Sequence, residues 1–249
     1  MTAEVPAPLP LCAVTFDYWD TLVEGAAQAE RTRLRRAALG RLLAELGHPL
    51  SADEVAALHR EVSGELDRWW REEHRGYTTE DAVRLLLARR GITRPDECEH
   101  VTRAAEAIDD ALVAHPPALI AGATNALRAL AARFPLAIVS DTGIASGRAQ
   151  DRVLELHGIR DLFQATIYSM DVGWAKPRPE PFRAALDVLG VKPGAAVHVG
   201  DIERTDVRGA LAIGMRAIRV DIVRHTGSSD AELVATSLAE VTDYLLRQA

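Results

Sequence analysis

The sequence predicts an α/β fold: a Rossmann-like parallel sheet covered by helices on both faces, with a helical domain inserted after the first strand. Three observations carry this expectation. Short β-branched or aliphatic runs alternate with Ala/Leu-rich stretches of helical period. One long segment, about residues 25–115, has almost no strand signal. Apolar runs stop on an aspartate at Asp17, Asp141 and Asp201. Ligands of parallel sheets bind beyond the carboxyl ends of the strands, so these acids are expected at one sheet edge.

The first run, LCAVTFD from Leu11 to Asp17, is the first strand. Four helices are expected next, over Arg31 to Leu46, Asp53 to Arg71, Glu80 to Arg90 and about Asp96 to Ala114. Thr78 and Asp81 have the spacing of a capping box before the third of these, and Gly91 is its stop. HPPALIAG, His115 to Gly122, is a Pro-rich return. The remaining strands are PLAIVSD, QATIYS, AAVHVGD and MRAIRVD, with helices such as Thr124 to Arg133 and Glu180 to Leu189 between them. The tail reads as a loop and a closing amphipathic helix. Residues 1–24 and 116–249 are therefore expected to form the core, and 25–115 a cap placed above its acidic edge, where a lid belongs.

A chain of 249 residues that is 48% hydrophobic can build one large domain or two modest ones. Its net charge of -7 argues against nucleic acid as a partner. Arg31, Arg33, Arg35, Arg36 and Arg41 are interleaved with Ala and Leu at helical spacing and read as a solvated helix face. Cys12 and Cys98 are far apart, with no partner motif; Cys12 reads as a small core residue. The first residues, MTAEVPAPLP, lack the basic and apolar regions of a signal peptide, and no apolar run reaches the roughly 20 residues of a membrane span. A cytoplasmic monomer or homodimer, with no membrane partner, is the expectation.

Four motifs carry chemistry: Asp17 with Asp20-Thr21, Ser140-Asp141-Thr142-Gly143, AKPRPEPF around Lys176, and VGDIERTDVRGALAIGM with Asp201 and Asp206. A carboxylate at the mouth of a sheet can act as a nucleophile, forming a covalent intermediate that water resolves. Attack by an anion on a phosphoryl group requires converging cations. Lys176 is one. A hard, oxygen-liganded Mg2+ is the other if Asp17, Asp201 and Asp206 come together, because crowded acids without a metal repel one another. Ser140 and nearby backbone N–H groups can donate hydrogen bonds to the transferring oxygens.

In this order the four motifs resemble those of the haloacid dehalogenase (HAD) superfamily, with a helical cap of the kind inserted after the first strand. The resemblance covers nearly the whole chain and does not specify a substrate. It implies Asp17 as nucleophile, Ser140 with Asp141 and Thr142 at the phosphoryl group, and Lys176 neutralising charge on both Asp17 and substrate. It also implies an Mg2+ held by Asp17, Asp201, Asp206 and the backbone carbonyl of Trp19. The partner would be a small phosphorylated molecule. Within the cap, Arg71, His74, Arg75 and Tyr77 are placed where a lid loop could grip an anion, with Arg75 taken as a substrate-binding candidate. Trp69 and Trp70 point about 100° apart on a helix, so at most one faces the site, and the expected place of both is the core of the cap.

The chain departs from the family pattern at one point. Phosphatases of the superfamily carry a second Asp two residues after the nucleophile, and here that position is Trp19. An indole N–H does not titrate, so it cannot serve as general acid and base. Asp20 reads as turn chemistry, with a displaced acid/base role as the alternative. Three readings stay open: an Mg2+-dependent phosphohydrolase or phosphotransferase, a weak or inactive phospholigand-binding protein, and a 2-haloacid dehalogenase. The last branch also lacks the second Asp.

Overall fold

A computed structural model describes residues 9–25, 28–92, 98–224 and 227–248. The start of the chain, on which the leader reading rests, lies outside the described residues, as does the expected beginning of the fourth helix at Asp96. In chain order the elements are β1 (Ala13–Phe16), α1 (Gln28–Glu45), α2 (Ala52–Arg68), α3 (Thr79–Arg89), α4 (Cys98–Ala114), α5 (Ala123–Ala131) and β2 (Leu136–Ser140). They continue with α6 (Gly147–Leu156), β3 (Ala165–Tyr168), α7 (Ser169–Val172), α8 (Pro179–Leu189) and β4 (Ala196–Gly200). The last are α9 (Arg208–Ala212), β5 (Arg216–Val220), β6 (Leu233–Ala235) and α10 (Leu238–Leu246).

The strands form one parallel sheet in the order β3-β2-β1-β4-β5-β6. All five expected strands are present. β6 was not foreseen, because a three-residue Leu-Val-Ala strand has no room to show a period. β1 lies at the centre, and the chain leaves it first toward β2 and later toward β4. That reversal places the topological switch point at the carboxyl end of β1.

Both faces of the sheet are covered. Val14, Phe16, Ile138 and Val199 pack with residues of α5, α6 and α10, while Ala13, Ala137 and Val139 pack with Phe182 of α8 and Ala210 of α9. The central strands β1, β2 and β4 are buried throughout, so they read as continuous apolar runs rather than alternating ones.

α1 to α4 gather around an apolar cluster of their own that includes Leu39, Leu43, Leu58, Leu66, Leu86 and Ile108. Capping boxes start two of these helices: Ser51 with Glu54, and Thr78 with Asp81, the latter with both bonds at 3.0 Å. Gly91 ends α3 with a φ of 68°. The chain segments that enter and leave this group run side by side, the Glu24 N–H donating to Ala118 O and the Ile120 N–H to Leu22 O, each at 2.9 Å.

A second seam joins the group to the sheet. The Gly76 N–H donates to Gly173 O at 3.0 Å, and the Ala175 N–H donates to His74 O at 2.8 Å. A side chain at Gly76 would collide with the carbonyl of Ser169, so this close approach requires glycine. Cys12 corrects an expectation. It precedes β1 and is exposed, while its neighbours Leu11 and Ala13 are buried.

Candidate active site

Asp17 follows β1 directly, its N–H donating to Val199 O of β4 at 2.8 Å. The carboxylates of Asp17, Asp201 and Asp206 are all buried, and each offers an oxygen within 4.8 Å of the others. Lys176 is 1% exposed, and its Nζ donates to Asp17 Oδ1 at 2.5 Å and to Asp206 Oδ1 at 2.6 Å. Asp206 is held on its other side by the Ile202 N–H at 2.8 Å. His198 Nε2 lies 3.3 Å from Asp206 Oδ1, while its Nδ1 is 2.8 Å from Thr15 Oγ1. Two strands thus hold the site from below through a His-Thr pair that sequence reasoning missed.

The electrostatics follow from burial and crowding. Burial, Asp206 and Asp141 raise Asp17 to about 7 against the pull of Lys176. Burial and the neighbouring Asp17 and Asp206 push Asp201 up to about 8. Burial would raise Asp206 too, but the Lys176 ammonium and His198 outweigh it and hold this carboxyl below the usual range. Lys176 is pushed down by burial and held above its ordinary value by the acids around it. Asp201 Oδ2 is buried with no hydrogen-bond partner, 3.4 Å from Arg224 Nε. When all three are ionised, three carboxylates against the Lys176 ammonium and the part-exposed Arg224 guanidinium leave negative charge that a further cation would balance.

The Asp141 carboxyl is raised, first by burial. Its Oδ1 accepts from the Lys176 N–H at 2.9 Å and its Oδ2 from the Trp70 indole at 2.8 Å. The Thr142 N–H donates to Ser169 Oγ at 3.0 Å. These residues open on a cavity of about 780 Å³, walled by the sheet edge on one side and by Arg31, Arg35, His59, Trp70 and Tyr77 on the other.

A family model for haloacid dehalogenase-like hydrolases matches residues 12–214. The chain belongs to this family. Among relatives of the HAD-like hydrolase is the glyceraldehyde 3-phosphate phosphatase of Methanopyrus kandleri, 32% identical over 84% of this chain and 83% of that one. A second is haloacid dehalogenase-like hydrolase domain-containing protein 3 of Bos taurus, 35% identical over 41% of this chain but only 39% of its own length. The crystal structure of a 2-haloacid dehalogenase from Pseudomonas syringae pv. Tomato superposes with a TM-score of 0.68. It is 27% identical, covering 96% of this chain and 100% of that one. The protein is a hydrolase of this family, and no helix among the described residues is long and apolar enough to cross a membrane.

Most sequence candidates of the HAD-like hydrolase converge: Asp17, Trp19, Asp141, Thr142, Lys176, Asp201 and Asp206 line one cavity. Two others stand differently. Ser140 is 1% exposed at the end of β2, and its hydroxyl donates to Gln150 Oε1 at 3.0 Å. Arg75 is not brought to the cavity: its guanidinium lies 4.2 Å from the Trp69 ring centroid and its backbone bridges Trp174. Of the lid-loop group only Tyr77 lines the wall; Arg71 pairs with Asp67 at 2.7 Å. Trp69 packs with the helical cluster, whereas Trp70 faces the site.

The arginine series also divides. Arg33 is the solvated residue expected, paired with Glu30, but Arg31 is 2% exposed and both it and Arg35 line the cavity. The signal was their spacing of four, which stacks them on one helix face. Asp20 adopts a left-handed φ of 56°; its Oδ1 accepts from the Gly25 N–H at 2.7 Å and its Oδ2 from Arg224 Nη2 at 2.8 Å. Arg224, also missed, comes from the loop after β5, one more strand end.

Proposed function

We propose that the chain is an Mg2+-dependent phosphohydrolase or phosphotransferase acting on a small phosphorylated molecule through an aspartyl-phosphate on Asp17. In this reading residues 25–115 are the cap and residues 1–24 with 116–249 the core. The observation that carries it is the contact of Lys176 Nζ with both Asp17 and Asp206, beside a third buried carboxylate. Relatives named as phosphatases support the substrate class.

An all-oxygen donor set suits Mg2+, and Asp201 Oδ2, which accepts no hydrogen bond, and the raised Asp17 and Asp201 fit a site that takes a cation. Asp17, Asp201, Asp206 and the Trp19 carbonyl would hold it, and it would supply charge neutralisation at the phosphoryl oxygens. Asp17 attacks phosphorus, and the bond to the leaving oxygen breaks with its electron pair staying on that oxygen. Lys176 offsets the negative charge that accumulates, in a place shielded from water. Water then attacks phosphorus and frees Asp17 as a carboxylate. Thr142, just beyond β2 in the cavity wall, takes a phosphoryl oxygen, and Ser140 joins it only if its hydroxyl turns away from Gln150.

Because Trp19 cannot protonate a leaving group, good leaving groups such as acyl phosphates are favoured over alkyl esters. Incubated with Mg2+ and acetyl phosphate, the protein is expected to release phosphate and to carry a transient phosphoryl group on Asp17. D17N abolishes both, a loss of at least ~10³-fold for removal of a covalent nucleophile. Release that persists in D17N overturns the reading. A lasting adduct without release points instead to the binding-protein alternative.

The Pseudomonas structure and the aromatic Trp19 favour the dehalogenase as a second reading. Three carboxylates crowded at a metal-free nucleophile weigh against it. Chloride released from chloroacetate in the presence of EDTA would decide for it.

A further inference from the structure

Where the sheet edge is acidic, the facing wall of the cavity is basic. Arg31 and Arg35 lie one turn apart on α1, and His59 comes from α2; all three line the cavity. The Arg31 guanidinium is 5.7 Å from the centroid of the Trp19 ring, which seats it beside the nucleophile loop. Arg35 Nε and His59 Nε2 are each buried with no hydrogen-bond partner.

Asp109 favours the charged form of Arg35 but does not hydrogen-bond its Nε. The two carboxylate oxygens of Asp109 accept from the Ser146 N–H at 2.7 Å and from its hydroxyl at 2.5 Å, and Asp67 pairs with Arg71. The positive field is felt by both groups. Burial and Arg31 push Arg35 down to about 10. Burial and Arg36, Arg35 and Arg60 push the His59 imidazole down to about 4. A buried polar nitrogen left unpaired is costly, and an anion in the cavity would satisfy it. Neither nitrogen takes part in the chemistry assigned to Asp17 and Lys176.

We propose that this basic wall is a second anion subsite, so that the substrate is a small phosphate compound carrying another anionic group, a carboxylate or a second phosphoryl, held by Arg35 with Arg31 and His59. The proposal rests on the phosphoryl group itself binding at Asp17. A cavity of about 780 Å³ has room for such a metabolite, within the roughly 300–1,000 Å³ of small-ligand sites. The planar guanidinium fork matches either anion in two-pronged fashion.

Non-hydrolysable ligands test it without requiring turnover. Phosphonocarboxylates with one to four methylenes, bisphosphonates of the same lengths and plain alkylphosphonates are titrated by calorimetry with Mg2+ present. At least one doubly anionic ligand is expected to bind about tenfold or more tightly than its alkyl counterpart. The arm with the larger gain tells carboxylate from phosphoryl.

R35Q is expected to remove that gain. R33Q, at the exposed Arg33 paired with Glu30, is expected to keep it. Should R35Q fail to fold, R35K retains charge without the fork and is expected to lose most of the gain. Equal affinity across every matched pair, or a gain that survives both Arg35 variants, overturns the subsite. Such a result alongside Asp17-dependent release from acetyl phosphate rejects the subsite alone, whereas absence of that release rejects the wider reading.

Discussion

Asp20 sits three residues after the nucleophile with two competing jobs on paper, and its hydrogen bonds favour one of them. A carboxylate that accepts from the Gly25 N–H and from Arg224 in a left-handed turn is holding the nucleophile loop in shape. D20N keeps both the tolerance for positive φ and an acceptor oxygen. It is therefore expected to leave phosphate release within about threefold of the parent. A fall of about 10²–10⁴-fold, the usual worth of general acid-base catalysis, would instead make Asp20 the displaced acid. At this scale the sequence was most legible where a residue ends a strand, as with Asp17, Asp141 and Asp201, since topology alone sends such residues to one edge. It was least legible for Arg31, Arg35 and His59. A charged side chain on a helix looks the same in a sequence whether its face meets water or a cavity, and only packing against another element distinguishes them.

Among the elements, the end of α2 tells most about how the inserted helices meet the sheet. Helix α2 passes into a wider turn over Trp69–Glu73, and the two adjacent tryptophans part there. Trp70 reaches across to Asp141 while Trp69 stays in the helical cluster. W70F removes the indole donor from the half-buried Asp141 carboxylate. The expected loss is about 1.5–3 kcal/mol, and for a chain of this size each kcal/mol lowers Tm by about 2–4 °C. A melt of W70F indistinguishable from the parent would mean that the bond contributes nothing to holding the helices down. The sequence announced α3 through its capping box and five strands through their apolar runs, because those signals are local. It hid β6, which is too short to show periodicity, and α6, whose buried residues begin at Gly147 and Ala149 directly after a strand-end loop.

For the molecule as a whole, the acidic edge ties stability to pH and to metal. Asp17 and Asp201 titrate near about 7 and about 8 in the folded chain, against 3.8 ordinarily. The metal-free folded state thus keeps protons that the unfolded chain gives up. Stability contributed by the protonated forms is fully present below about pH 4 and falls away as pH rises to about 8. On the proposed reading, Mg2+ held by these acids would take the place of their protons, so the rise in Tm on adding Mg2+ should grow between about pH 6 and about pH 8. Melts at the two pH values with and without Mg2+ check this; an increment that does not change with pH would detach the acids from metal binding. The backbone seam between His74–Gly76 and Gly173–Ala175 adds a mechanical consequence. Its last residue immediately precedes Lys176, so the inserted helices cannot swing off the sheet without either parting those bonds or dragging the lysine with them. Where those bonds hold, any shift of α1–α4 away from the sheet pulls on the segment that carries the ammonium.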